Sequence, residues 1–171
     1  MPDPDGRMLY YSSIVNRQKV IWSKIYDILY NTREFNEMSI FNDSFTIRES
    51  YEQNLLRDYI FEHCAPSGDE WNRLHNHDAD TMRAMLAVGI VLKEKDYINL
   101  CIDTFKYFIE NTIDNRGCYN ETSPNYSNFT AELFADVATM LVRHDSRINF
   151  FNNIKLIKLL DNPDDREDCT G

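Results

Sequence analysis

Apolar residues in this chain recur every three to four positions in one stretch after another, and that period dictates consecutive helices. Ile14, Ile21, Ile25, Ile28 and Leu29 form a first stripe, with Ser12 or Ser13 available as N-cap. Residues 31–48 are polar and mixed and read as a loop. A second helix is expected from about Ser50, with Tyr51, Leu55, Leu56, Tyr59 and Ile60 on one face, stopping at Ala65-Pro66-Ser67-Gly68. A third follows Trp71-Asn72-Arg73-Leu74-His75-Asn76-His77 and buries Met82, Met85, Leu86, Ile90 and Val91. Asp78 and Asp80 fall in its first turn, where negative charge suits the helix dipole.

A fourth helix is expected from about Asp96 to Ile113, with Tyr97, Cys101, Phe105 and Phe108 in register, ending at Asp114-Asn115-Arg116-Gly117. The loop Cys118 to Ser127 carries Pro124. A fifth helix covers about Asn128 to Arg143, with Phe129, Leu133, Phe134, Val137, Ala138 and Leu141 inside. A sixth covers about Phe150 to Leu160, and the tail over 161–171 is acidic. Five glycines and five prolines in 171 residues are too few for a many-turned β architecture. The reading is all-α. The tight connection Lys93 to Lys95 makes the third and fourth helices an antiparallel hairpin. One helix separates the third from the fifth, so those two are expected to run in the same sense and begin at one end of the molecule.

Lys plus Arg total 18 against 28 Asp plus Glu, a net charge of −10. General nucleic-acid binding needs a basic footprint and is excluded as an expectation. No apolar run reaches the roughly 18 residues that cross a bilayer, so no membrane partner is expected. Met1-Pro2-Asp3-Pro4-Asp5-Gly6 lacks the apolar core of a secretory signal. The cysteines Cys64, Cys101, Cys118 and Cys169 show no CxxC spacing. Cys101 lies on an apolar stripe and reads as a core residue, while Cys64 and Cys118 are free to pair in an exported protein. Sequons begin at Asn42, Asn120, Asn125 and Asn128.

Two loops hold most of the chemistry-bearing residues. In His75-Asn76-His77, entering the third helix, Asn76 or Asp78 caps the helix in the plain reading and the histidines face solvent. The functional reading is an anion pocket, since a helix start offers free N–H groups, Asn adds donors and His a titratable proton. Metal chelation by His75 and His77 is the rival, but only acids stand nearby as a third ligand, and no metal or other cofactor is assigned. In Tyr119-Asn120-Glu121-Thr122-Ser123-Pro124-Asn125-Tyr126, the plain reading is a turn with Tyr126 packed beside Phe129. The functional reading poises the Tyr126 phenol near a helix start, where cations or amides favour phenolate and proton transfer.

Taken together, the loops carry a resemblance. Asn76-His77 opening a helix, a hairpin, then Asp114-Asn115-Arg116-Gly117-Cys118-Tyr119-Asn120-Glu121-Thr122-Ser123-Pro124-Asn125-Tyr126 resembles the α/α-toroid domain of polysaccharide lyases of the alginate lyase and heparinase II/III type. The similarity covers about residues 50–160. It implies antiparallel helix hairpins forming part of an incomplete (α/α) toroid, one partial domain over 1–171. It implies β-elimination on a uronic-acid-containing polysaccharide, the anionic partner, with no metal. Asn76 and His77 neutralise the uronate carboxylate as the enolate-like anion forms. Tyr126 protonates the departing oxygen and takes the C5 proton, with His77 the alternative base. The resemblance further implies substrate contacts from Trp71, Arg73, His75 and Glu121, with Glu121 orienting its loop.

The chain departs from the family pattern in holding Thr122, Ser123 and Ser127 where Arg and His or Asn often stand. Members of the family are extracellular or periplasmic. The alternative is a non-catalytic helical carbohydrate-binding or protein-interaction module. An arc of hairpins is also expected to leave an apolar edge open to association, with Phe150, Phe151, Ile154 and Leu156 contributing.

Overall fold

The structure, a computed structural model, describes residues 9–39, 42–57, 76–120 and 124–161. Six α-helices dominate the described residues: α1 (Leu9–Leu29), α2 (Ile47–Tyr51), α3 (Asn76–Leu92), α4 (Lys95–Thr112), α5 (Pro124–His144) and α6 (Ile154–Asp161). The chain is all-α in class. None of the described helices is long and apolar enough to cross a membrane.

Within the segment expected to be loop, β1 (Met38–Ser39) and β2 (Asn42–Thr46) pair antiparallel in a small hairpin. Thr46 then starts α2 earlier than Ser50. Its hydroxyl accepts from Glu49 N, and the Glu49 carboxylate accepts from Thr46 N, two helix-start donors satisfied reciprocally. The second helix continues as a π-helical turn over Glu52–Arg57. α5 begins at Pro124 rather than Asn128, because the proline's fixed φ and missing N–H suit a first helical position.

α3 is the hub, packing against α1, α4 and α5, while α6 packs against both α4 and α5. The core follows the expected stripes. Met82, Met85 and Leu86 of α3 meet Cys101, Phe105 and Phe108 of α4 and Leu133, Phe134, Val137 and Leu141 of α5, all buried. The Phe134 ring takes the edges of Phe105 at 5.3 Å and Phe108 at 5.5 Å, the geometry aromatic quadrupoles favour.

α3 and α4 form the expected hairpin. Lys93 turns the chain at φ 60, and a Cβ added to Gly89 would sit 3.0 Å from Tyr97 Cβ, so glycine lets the helices close. Seven residues back along α3 from Gly89 and four forward along α4 from Tyr97, the Cys101 thiol lies against the Met82 carbonyl, 3.6 Å away.

α1 departs from expectation. Of its expected stripe, Ile21 (56% exposed), Ile25 and Ile28 (75%) face outward, Leu29 is half-buried, and the Ile14 side chain lies outside the described residues. The buried face is Asn16, Lys19, Ser23 and Tyr26. Each of three polar groups finds a partner there that a stripe of isoleucines does not need. Asn16 donates to Thr81 Oγ1 at 2.7 Å, and Tyr26 donates to the Glu52 carboxylate. The Lys19 ammonium donates to the carbonyls of Leu55 at 2.6 Å and Leu56 at 3.1 Å. A buried ammonium is tolerated only with such acceptors. The apolar edge expected around α6 is mostly closed. Phe150 and Leu156 are buried, Phe151 is half-buried, and Ile154 alone of the four is exposed. The Phe150 ring packs at a tilt on Phe105, 4.8 Å between centres, which draws it inward.

Cys101 is free and buried, and burial pushes its thiol up to about 12. Cys118 is disulfide-bonded, to a partner outside the described residues.

Candidate functional site

Three helix ends meet at one end of the bundle. Arg17 Nε donates to Asp80 Oδ2 of α3 at 2.9 Å, and the same guanidinium lies 4.8 Å above the centre of the Phe129 ring of α5. Further along both helices, Arg83 Nη1 donates to Asp136 Oδ2 at 2.8 Å. Positions that ascend α3 therefore ascend α5, and the two helices run in the same sense. Their first residues, Asn76 and Pro124, share an end. α4 is antiparallel to α3, so its last turn and the loop 113–120 arrive there as well.

That loop is built by its own residues. Ile113 and Tyr119 form an isolated antiparallel bridge, closed by Asn120 N donating to Thr112 O at 2.8 Å. Asp114 Oδ1 accepts from Arg116 N at 2.8 Å and Cys118 N at 2.9 Å, the turn-forming use of a short carboxylate side chain. Gly117 sits at φ 96, where a Cβ would meet Lys158 Cβ at 2.6 Å. Lys158 Nζ donates to Asn115 O at 2.6 Å, and Lys155 Nζ to Glu110 O at 2.7 Å, so α6 pins the loop. Between them lies an open, polar groove of about 470 Å³ lined by Glu110, Asp114, Asn115, Arg116, Asn120 and Lys155 among others. Its cations are matched by acids: Arg116 pairs with Asp114 at 2.9 Å and Lys155 with Glu110 at 3.2 Å. The groove thus offers alternating donors and acceptors rather than a net positive field.

Of the residues expected to carry chemistry, Tyr126 is the third residue of α5 and 56% exposed at this end. It does not bury itself against Phe129, whose face carries Arg17 instead. Asn76 and His77 are the first two residues of α3, and their side chains lie outside the described residues. Trp71, Arg73, His75 and Glu121 also lie outside the described residues. His144 closes α5 at the opposite end, about 27 Å along the axis from Tyr126 at 1.5 Å per residue.

The sequence reading missed one group here. From the sequence, Asp80 is a first-turn acid that complements the helix dipole. It is fully withdrawn from solvent and takes Arg17 Nε on one oxygen and Arg83 Nη2, at 3.3 Å, on the other. A chain of alternating charge, Arg17–Asp80–Arg83–Asp136, thereby ties α1, α3 and α5 together. No local pattern announces a pair 63 residues apart.

Comparison with protein-family models, with curated proteins and with solved structures finds no match for this chain.

Proposed function

We propose that this chain is a polysaccharide-lyase-like domain, part of an α/α toroid, that acts by β-elimination on a uronic-acid-containing polysaccharide. The observation that carries the reading is the common end of α3 and α5, with the Tyr126 phenol open to solvent there. A uronate carboxylate held at the start of α3 has its negative charge complemented by free N–H groups and by Asn76 and His77. The C5 proton of that sugar is acidified as the carboxylate is neutralised. Tyr126 takes the proton, with His77 the alternative base, and returns one to the 4-O leaving group. The C5–H and C4–O bonds break while a C4–C5 double bond forms, so no external oxidant or metal enters the balance. α3 packs against α1, α4 and α5, and α6 against both α4 and α5, so the consecutive pairs α3–α4 and α5–α6 lie side by side as hairpins do, which supports the reading.

The assay is direct. The unsaturated uronate product absorbs ultraviolet light, so incubation with alginate, heparan sulfate or chondroitin sulfate reads turnover without a label. A rise in absorbance with one polymer, lost in Tyr126→Phe, is expected. No rise with any of them refutes catalysis.

The exposure of Tyr126 favours a second reading, non-catalytic carbohydrate binding. A phenol ring more than half in solvent stacks on a sugar face as readily as it transfers a proton. Binding of a uronate oligomer without turnover identifies that case.

A further inference from the structure

We infer that the Arg17 guanidinium is a carboxylate-binding group at the Tyr126 end of the bundle, where it receives the uronate of an acidic polysaccharide; the inference rests on the polyuronate reading above. Arg17 belongs to α1 and to none of the sequence motifs. Two contacts fix its head group. Its Nε donates to Asp80 Oδ2 at 2.9 Å, and one face of the guanidinium covers the Phe129 ring at 4.8 Å. Asp80 is itself immobilised, with no solvent exposure of its side chain and Arg83 on its other oxygen.

With one edge tied and one face covered, the plane of the guanidinium is set before any ligand arrives. The N–H groups on its two terminal nitrogens have no partner among the described residues, and 47% of the side chain is in solvent. A planar fork of donors held in this way matches a carboxylate through two parallel hydrogen bonds. Its prior immobilisation spares the ordering cost that a free surface arginine incurs on binding. Asp80 divides its charge between two guanidinia, so the outer edge of Arg17 keeps electrostatic attraction for an anion.

The location is the second half of the argument. Phe129 stands three residues after Tyr126 on α5, and residues so spaced are neighbours on one helix face, roughly 5–6 Å apart. Arg17 therefore lies one helical turn from the exposed phenol. Arg17 and the Tyr126 phenol share this end of the bundle, so a polyuronate lying across it can place one uronate on Arg17 and the next at the start of α3 near Tyr126.

A purely structural role for Arg17 predicts equal loss for every ligand, and the test separates the two. Titration calorimetry of the full chain uses oligouronates and the same oligomers with their carboxyls reduced to alcohols. Wild type, Arg17→Gln, Arg17→Lys and Arg147→Gln, an exposed control paired with Asp145, are compared. Arg17→Gln is expected to weaken oligouronate binding about tenfold or more. Its affinity for the carboxyl-reduced oligomers and the affinity of Arg147→Gln for both should stay within about twofold of wild type. Arg17→Lys keeps the charge without the fork and is expected to fall several-fold. Oligouronate affinity in Arg17→Gln equal to wild type overturns the inference and leaves the polyuronate reading standing. Equal losses for charged and reduced oligomers also overturn it, in favour of the structural role. If Arg17→Gln lacks the helical circular dichroism of wild type, Arg17→Lys decides, and wild-type affinity there overturns the inference. A wild-type chain that binds no oligouronate refutes the polyuronate reading itself.

Discussion

Replacing Asp80 by Asn is the perturbation that most directly loads the joint between α1, α3 and α5. The side chain is fully withdrawn from solvent and accepts from Arg17 at 2.9 Å and Arg83 at 3.3 Å. Asparagine preserves the shape but removes the charge and turns one acceptor into a donor aimed at a guanidinium. Breaking a buried pair by removing one partner costs about 3–5 kcal/mol where the other charge is stranded. Neither arginine is stranded here. Arg17 is half in water, and Arg83 keeps Asp136 at 2.8 Å. The expected loss is therefore smaller, about 2–3 kcal/mol, the range of two weakened charge-assisted hydrogen bonds. For a chain of this length that lowers the melting temperature by about 5–10 °C. Thermal unfolding followed by circular dichroism reads the shift. A double-mutant cycle with Arg17→Gln should show coupling of about 1 kcal/mol or more. An Asp80→Asn melting temperature within about 2 °C of wild type, or a raised one, refutes the reasoning that this network holds the helix ends in register.

Other outcomes follow from single features of the fold. Gly117→Ala should lose about 2 kcal/mol or more in urea unfolding, because φ 96 is strained for alanine and its Cβ would lie 2.8 Å from the Lys158 carbonyl carbon, a backbone atom that cannot rotate away. A wild-type unfolding midpoint would contradict the close packing of the loop on α6. Cys101, buried with its thiol pushed up to about 12, should resist iodoacetamide at pH 8 in the native protein and react once unfolded in guanidinium. Rapid native labelling of the Cys101 peptide would show that the α3–α4 contact is open. Phe134→Ala should lose about 3–5 kcal/mol, since its ring is fully buried between Phe105 and Phe108, and a loss under about 1 kcal/mol would contradict that packing.

Helices α3, α4 and α5 were legible because each buries one apolar stripe, and Met82, Cys101, Phe105, Leu133 and Val137 all stand where the period puts them. α1 was misread for a definite reason. Its isoleucines have the right period, yet burial goes to the face where Asn16, Lys19 and Tyr26 meet Thr81, Leu55, Leu56 and Glu52. Partners that distant in sequence leave no local trace. Helix starts shifted where capping chemistry outweighed the apolar pattern: the Thr46–Glu49 box moved α2 and Pro124 moved α5. The shared end of α3 and α5 follows from helix order alone. That α1 supplies Arg17 to it does not, because the pairing with Asp80 is a product of tertiary packing.

The most direct test of the central claim is the ultraviolet elimination assay run on wild type and Tyr126→Phe side by side. The account predicts absorbance from unsaturated uronate with the wild-type chain on at least one polyuronate, and a loss of roughly 10²-fold or more in the variant, the range of one general acid–base group. Elimination by Tyr126→Phe at the wild-type rate would contradict the assignment of the phenol, and no elimination by the wild-type chain on any polyuronate would contradict the catalytic claim.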